Sequence, residues 1–364
     1  MAIGEAIHVA VTPEEETLIT TAKEVNPEAY EAYLLGKFFH AKRTPDGFEK
    51  AAESFQRAIE LDPNFAEAHV GLGMAYWVPS SYGFVPEAPA LARARPHIDT
   101  ALALDDTLAV AHVAAGYIAR SSDWDLTRAE REFLRAIELN PGDPAGHAAL
   151  SGAYPRLGRF DDAIRESQEA INLDPLNLLY SSSLADNYLA AGRYEEAIAQ
   201  RQKVFELDPV FLPALRNVSI NYRVISRYND AIEVMDLAID NYGRLPQLLG
   251  YLLVAHADAG NKDEAEALLT ELHARAQDEY VGATSFALAY AALGDMDEAF
   301  RWLDQAIEDR DNLLSNPYWP VWIPFRDDPR FIDMLRRINY PAIEAFEAAL
   351  QNAASAETTQ NPVD

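Results

Sequence analysis

The chain has 364 residues, 49% hydrophobic and 10% aromatic, which is enough apolar side chain for a continuous core and too much for a disordered polymer. Its net charge of −28 works against binding nucleic-acid phosphates or an anionic membrane surface. The absence of cysteine excludes disulfides, thiolate metal sites and cysteine nucleophiles, and no apolar run approaches the roughly 18 residues that a membrane span needs.

In chain order, residues 1–25 predict a lead-in helix. Thr12 is an N-cap, Pro13 takes the first helical position, and Glu14, Glu15 and Glu16 fill the first turn. Residues 1–12 lack the basic start and cleavage site of a signal peptide, so a cytoplasmic location is expected. From Asn26 the chain becomes periodic. Tyr30, Tyr33, Leu34 and Phe38 fall on one helix face, Lys42–Gly47 form a turn, and Leu61-Asp62-Pro63 closes a unit. The next unit carries Leu72-Gly73 and Tyr76, then breakers from Pro79 to Pro89 that predict a long loop. A third unit has Gly116, a turn at Trp124 and the series Ala129, Phe133, Ala136 and Pro141.

Beyond Pro141 the step is a strict 34 residues. Ala163, Ala197, Ala231, Ala265 and Ala299 share one column, and Gly158, Gly192, Ser226, Gly260 and Gly294 share another. A fixed period of this length marks a stacked array in which each unit packs on its neighbours. Eight units are expected, at about 26–63, 64–106, 107–141, 142–175, 176–209, 210–243, 244–277 and 278–311. The aromatic, proline-rich stretch 312–351, with Trp319 and Trp322, is expected to cap the open end, with a helix from Pro341 to Gln351. Residues 352–364 read as a polar, disordered tail.

The columns Leu-Gly-x-x-Tyr, Ala-x-x-x-Phe and Pro, seen at Leu72-Gly73-Tyr76 and Ala129-Phe133-Pro141, resemble the tetratricopeptide repeat. The resemblance covers about residues 26–311. It implies an all-α, right-handed α-solenoid of helix–turn–helix units. VTPEEE (11–16), NPEAYEAYLLGKFF (26–39) and FRDDPRFIDMLRRI (325–338) are further similar to the C-terminal repeat region of large bacterial signalling proteins, where it follows a cyclase, a kinase or a winged-helix domain. No glycine-rich phosphate loop or kinase motif stands in this chain, so the catalytic activities of those proteins do not carry over. Two readings follow: a non-enzymatic scaffold that binds a protein or peptide, or a regulatory piece of a larger signalling enzyme. Self-association through the end faces is a third possibility.

Chemistry is sparse. Asp161-Asp162 and Glu195-Glu196 open second helices, where acids complement the helix dipole. The eight histidines show no metal-binding spacing, and no cofactor or metal is expected. Function is therefore expected in the concave groove. The resemblance implies that the first helix of each unit lines it. The candidate partner-binding residues are Ser182, Ser183, Asp186, Arg216, Asn217, Ile220, Arg223, Gln247 and Tyr251. The family's Lys and Asn clamp for a peptide carboxylate is missing: its two positions hold Ser182 and Asp186 in one unit and Arg216 and Ile220 in the next. Arg216, Asn217 and Arg223 either hold an acidic partner segment or pair with neighbours such as Asp186.

Overall fold

The computed structural model describes residues 26–122 and 124–360; the lead-in helix expected over 1–25 lies outside them. Among the described residues there are helices and no strands. Eight antiparallel hairpins follow one another: α1 (Pro27–Ala41) with α2 (Pro45–Leu61), α3 (Ala66–Ser81) with α4 (Glu87–Leu104), α5 (Ala109–Ser122) with α6 (Leu126–Leu139), and α7 (Pro144–Ala153) with α8 (Phe160–Leu173). Then come α9 (Leu178–Ala190) with α10 (Tyr194–Leu207), α11 (Leu212–Val224) with α12 (Tyr228–Tyr242), α13 (Pro246–Asp258) with α14 (Lys262–Arg275), and α15 (Ala283–Ala292) with α16 (Met296–Glu308). Two 3₁₀ turns, Asn312–Ser315 and Pro320–Phe325, lead to α17 (Pro329–Arg337) and α18 (Ile343–Gln360). The architecture is an α-solenoid.

Local chemistry sets the helix ends. Thr44 accepts from the Gly47 N–H at 3.1 Å with Pro45 at the first helical position, and Asp125 accepts from the Arg128 N–H at 2.8 Å. The five column alanines are all fully buried. They sit where two helices touch, and no larger side chain fits between them.

The glycines serve two purposes. In the turn column, Gly192, Gly260 and Gly294 have φ of 73°, 81° and 88°, and a Cβ there would meet nothing within 4 Å. They end helices in the left-handed conformation, and Ser226 adopts the same φ region at 60°. Gly36 is the opposite case: a Cβ would stand 2.6 Å from the Phe55 ring, so this glycine makes room for the aromatic column.

Three expectations change. Pro79 and Pro89 do not lie in a loop. Pro89 is in the first turn of α4, where an imide lacking N–H is tolerated; Pro79 is in the last turn of α3, where it forgoes one intrahelical N–H bond; the loop shrinks to residues 82–86. The last helix runs past Gln351 to Gln360 through a stretch rich in Ala, Glu and Gln, which favour helix; residues 361–364 lie outside the described residues.

The third change concerns the C-terminal segment, which does more than close the end. Trp322, Phe325 and Phe331 are fully buried and pack with Phe300 of the last hairpin. The same cluster reaches Leu126, Leu189 and Ile220 on earlier hairpins. Tyr318 meets Phe160 edge-on at 5.1 Å, and the Tyr340 hydroxyl donates to the Arg156 carbonyl. The segment therefore lies across the concave face from hairpin eight back to hairpin four.

Trp322→Ala should cost about 3–5 kcal/mol in urea unfolding, because it empties the centre of that cluster. A second expectation concerns pH. Burial first, then the Arg43 charge, holds His40 down at about 3. An unfolded histidine titrates near 6.5, so the unfolded chain takes the proton first. The stability from neutral His40 is complete above about pH 6.5 and is lost as pH falls toward 3. His40→Gln should therefore flatten the change in urea midpoint between pH 7 and 5; an unchanged slope removes His40 as its source.

Candidate functional site

A cavity of about 300 Å³ lies inside the superhelix. Its walls are the inner faces of α9, α11, α13 and α15, the loop between α3 and α4, and the C-terminal segment. The solenoid curls far enough for hairpin two to face hairpins six and seven: the Arg216 guanidinium stands 5.7 Å from the Tyr82 ring centroid, and a Cβ on Gly83 would lie 3.4 Å from the Gln247 side-chain oxygen.

Of the nine candidate residues, Ser183, Asp186, Arg216, Asn217, Arg223, Gln247 and Tyr251 line this cavity. Ser182 and Ile220 do not. Ser182 is buried and its Oγ accepts from Arg201 at 3.2 Å. Ile220 is buried in the cluster that holds Trp322 and Phe325, since α11 packs against the Pro320–Phe325 turn.

Asp186 organises the polar residues. Its carboxylate accepts from Asn217 Nδ2 at 2.9 and 3.0 Å and from the Arg201 guanidinium. The Asn217 side-chain oxygen accepts from Arg216 Nε at 3.1 Å. Arg223 donates to Asp258 at 2.6 Å rather than to Asp186. Asp186 is thus engaged by Arg201, and Arg216 has an amide partner where a carboxylate would neutralise it. A planar guanidinium still has donors for a bidentate acceptor, and the flanking Tyr82 ring orients it.

Reading the groove from first helices alone misses Arg201, because it comes from α10. A signal was present: Arg201 lies four residues after Ala197, in the column that holds Phe133 and Met235. An arginine on the buried stripe of an amphipathic helix calls for an internal carboxylate. Ser167 occupies the same column one unit earlier, and Asn187 donates to it at 2.7 Å. Hairpins four to six therefore carry a polar seam where other hairpins carry aromatic or aliphatic filling.

The opposite wall is acidic. Burial pushes the Asp311 carboxyl above the usual carboxylate range, although it accepts from Thr284 Oγ1 at 2.6 Å and from the Leu313 N–H at 2.9 Å. Burial, then the nearby Asp311 charge, raises the Tyr280 hydroxyl. Among the described residues no group of three or more His, Asp or Glu is placed to hold a metal ion, and no helix is long and apolar enough to cross a membrane.

Residues 48–77 match the family described as TPR repeat, and residues 149–209 match that described as Tetratricopeptide repeat. The chain contains tetratricopeptide repeats, and such proteins generally act as protein-interaction scaffolds. It is 31% identical over 123 residues to the mouse (Mus musculus) Superkiller complex protein 3, a match that covers 34% of this chain and spans 8% of that relative's length. The yeast Tom70 structure superposes with a TM-score of 0.52 at 17% identity, covering 87% of this chain and 69% of that one. A thermophilic TPR protein of Thermus thermophilus aligns at 22% identity and a TM-score of 0.44, covering 56% of this chain and 98% of that one.

Removing Asp186 leaves Arg201 fully buried without its carboxylate. Asp186→Ala should cost about 3–5 kcal/mol, and adding Arg201→Met should restore most of it. Chemical denaturation of the two variants decides this; equal loss in both refutes the pairing.

Proposed function

We propose that the chain is a non-enzymatic interaction module that holds an acidic segment of a protein or peptide partner in its concave cleft. Arg216 takes the partner's carboxylate, Asn217 and Gln247 bond its backbone, and Tyr251 packs against it. The observation that carries this reading is the cleft network itself. In a protein of net charge −28, Arg216 faces the cavity with its Nε on an amide oxygen rather than on an acid. Arg201 and Arg223, by contrast, are paired with Asp186 and Asp258.

The test compares partners captured from native cells by the wild type, by Arg216→Ala with Tyr251→Ala, and by Arg301→Ala. Arg301 is exposed on the outer face, 77% accessible, and serves as the control. Loss of the same acidic partners from the cleft variant alone supports the proposal, with the purified pair then expected to bind at least tenfold more weakly. Retention of every partner by the cleft variant overturns it.

A further inference from the structure

Two arginines outside the Asp186 network lack the partners that their burial calls for. Arg120, in the last turn of α5, is 7% exposed. Its Nε finds no acceptor, and its guanidinium stands over the Tyr117 ring at 5.0 Å from the centroid. Arg156, in the 3₁₀ turn Tyr154–Leu157 after α7, gives one nitrogen to the Gly152 carbonyl and its Nε to Ser315 Oγ at 3.2 Å. Both acceptors are neutral.

The two guanidiniums converge on Gly152. Its carbonyl takes Arg156, and a Cβ added to it would lie 3.5 Å from Arg120 Nη1. Burial first, and then the Arg120 charge, pulls Arg156 well below the usual arginine range. Arg43, from the turn between α1 and α2, also has its Nε buried without an acceptor, and its charge acts with theirs on the Tyr117 hydroxyl. Glu87 is the carboxylate that bears on both Arg120 and Arg156, and one of its oxygens already takes the Trp77 indole N–H at 3.4 Å.

Among the described residues, Glu87 is the carboxylate that acts on both buried guanidiniums, which leaves a local excess of positive charge away from bulk water. Like charges buried together are costly, and unsatisfied buried donors mark places where an acceptor belongs. Glu87, Gly152 and Arg156 line the cavity and Arg120 lies directly behind Gly152, so a dissolved molecule reaches this corner from the Arg156 side. The cavity's volume, about 300 Å³, is that of a small-molecule site.

We infer that this corner binds the phosphate or carboxylate group of a small anionic molecule between Arg120 and Arg156. The site is a separate corner of the same cavity that holds the proposed peptide cleft, using neither Arg216 nor Tyr251. An occupant also tightens the C-terminal segment, because Arg156 holds Ser315 by its side chain and Tyr340 by its carbonyl.

The test is thermal unfolding of the full chain at fixed ionic strength, with sodium phosphate, citrate or chloride. Phosphate or citrate should raise the melting temperature by at least about 2 °C over chloride, increasing with the logarithm of anion concentration. A shift with phosphate alone assigns the ligand group as phosphate; one with citrate alone assigns it as carboxylate. Arg120→Met should abolish the shift while leaving the melting temperature in chloride equal or higher, since an apolar chain replaces an unpaired buried charge. Arg156→Gln, read by calorimetric titration with phosphate and citrate, should bind at least tenfold more weakly than wild type. Arg216→Ala should keep the full response, which separates this site from the peptide cleft. An identical effect of all three salts, or a full shift in Arg120→Met, overturns the inference.

Discussion

The close contact at the alanine columns is the constraint on which the rest of the molecule depends. Ala163, Ala197, Ala231, Ala265 and Ala299 have no accessible surface, so each helix pair is held at a distance that only a methyl group allows. A constant distance repeated at a constant step gives a constant rotation per hairpin. Accumulated from hairpin two to hairpins six and seven, that rotation brings the Tyr82–Gly83 loop against Arg216 and Gln247. No local sequence signal links those residues. Their meeting is a sum of small, identical packing angles, and the cavity between them is its product.

The seam of polar residues is the departure from that regularity. At Ser167 and Arg201 the large apolar side chain of the buried column is replaced, and the space is filled by Asn187, Asp186, Ser182 and Asn217. A buried ion pair of this kind adds little net stability, because desolvation offsets the attraction. It does fix geometry. Asp186 cannot turn away from Arg201 without stranding a buried charge, so Asn217, and through it Arg216, are held in one orientation toward the cavity. Core composition on the second helices thereby decides the placement of a side chain on the first.

The same reasoning explains how much of the molecule could be read from residues alone. Helix ends are legible because they obey local rules: Pro27, Pro45 and Pro144 at first positions, Asp125 and Asp295 as caps, and left-handed turn residues from Gly158 to Gly294. Groove positions followed where a residue's exposure depends on its own helix, as for Ser183, Gln247 and Tyr251. They failed at Ile220, whose cover comes from residues about a hundred positions later, and at Ser182, which turns to a neighbouring helix. Arg120, Arg156 and Glu87 were not legible as a group. Three successive hairpins supply them, and the direct packing of neighbouring first helices brings them together.

That curl also fixes what the interior can accept. An open solenoid of eight hairpins presents a long concave face to an extended partner, but here the segment from Asp311 to Tyr340 crosses it. Its attachments to hairpin four are mixed: hydrogen bonds from Arg156 to Ser315 and from Tyr340 to the Arg156 carbonyl, the edge contact of Tyr318 on Phe160, and the packing of Leu157 against the aromatic cluster. Its attachments to hairpin eight are apolar and deep, through Trp322, Phe325 and Phe331. The two flanks of the segment are therefore tied to hairpin four around Arg156, and its middle is held by burial against hairpin eight. Ligand size inside the superhelix is limited by the seating of this segment more than by the solenoid, and Arg156, which touches both, is where charge in the cavity and position of the segment are coupled.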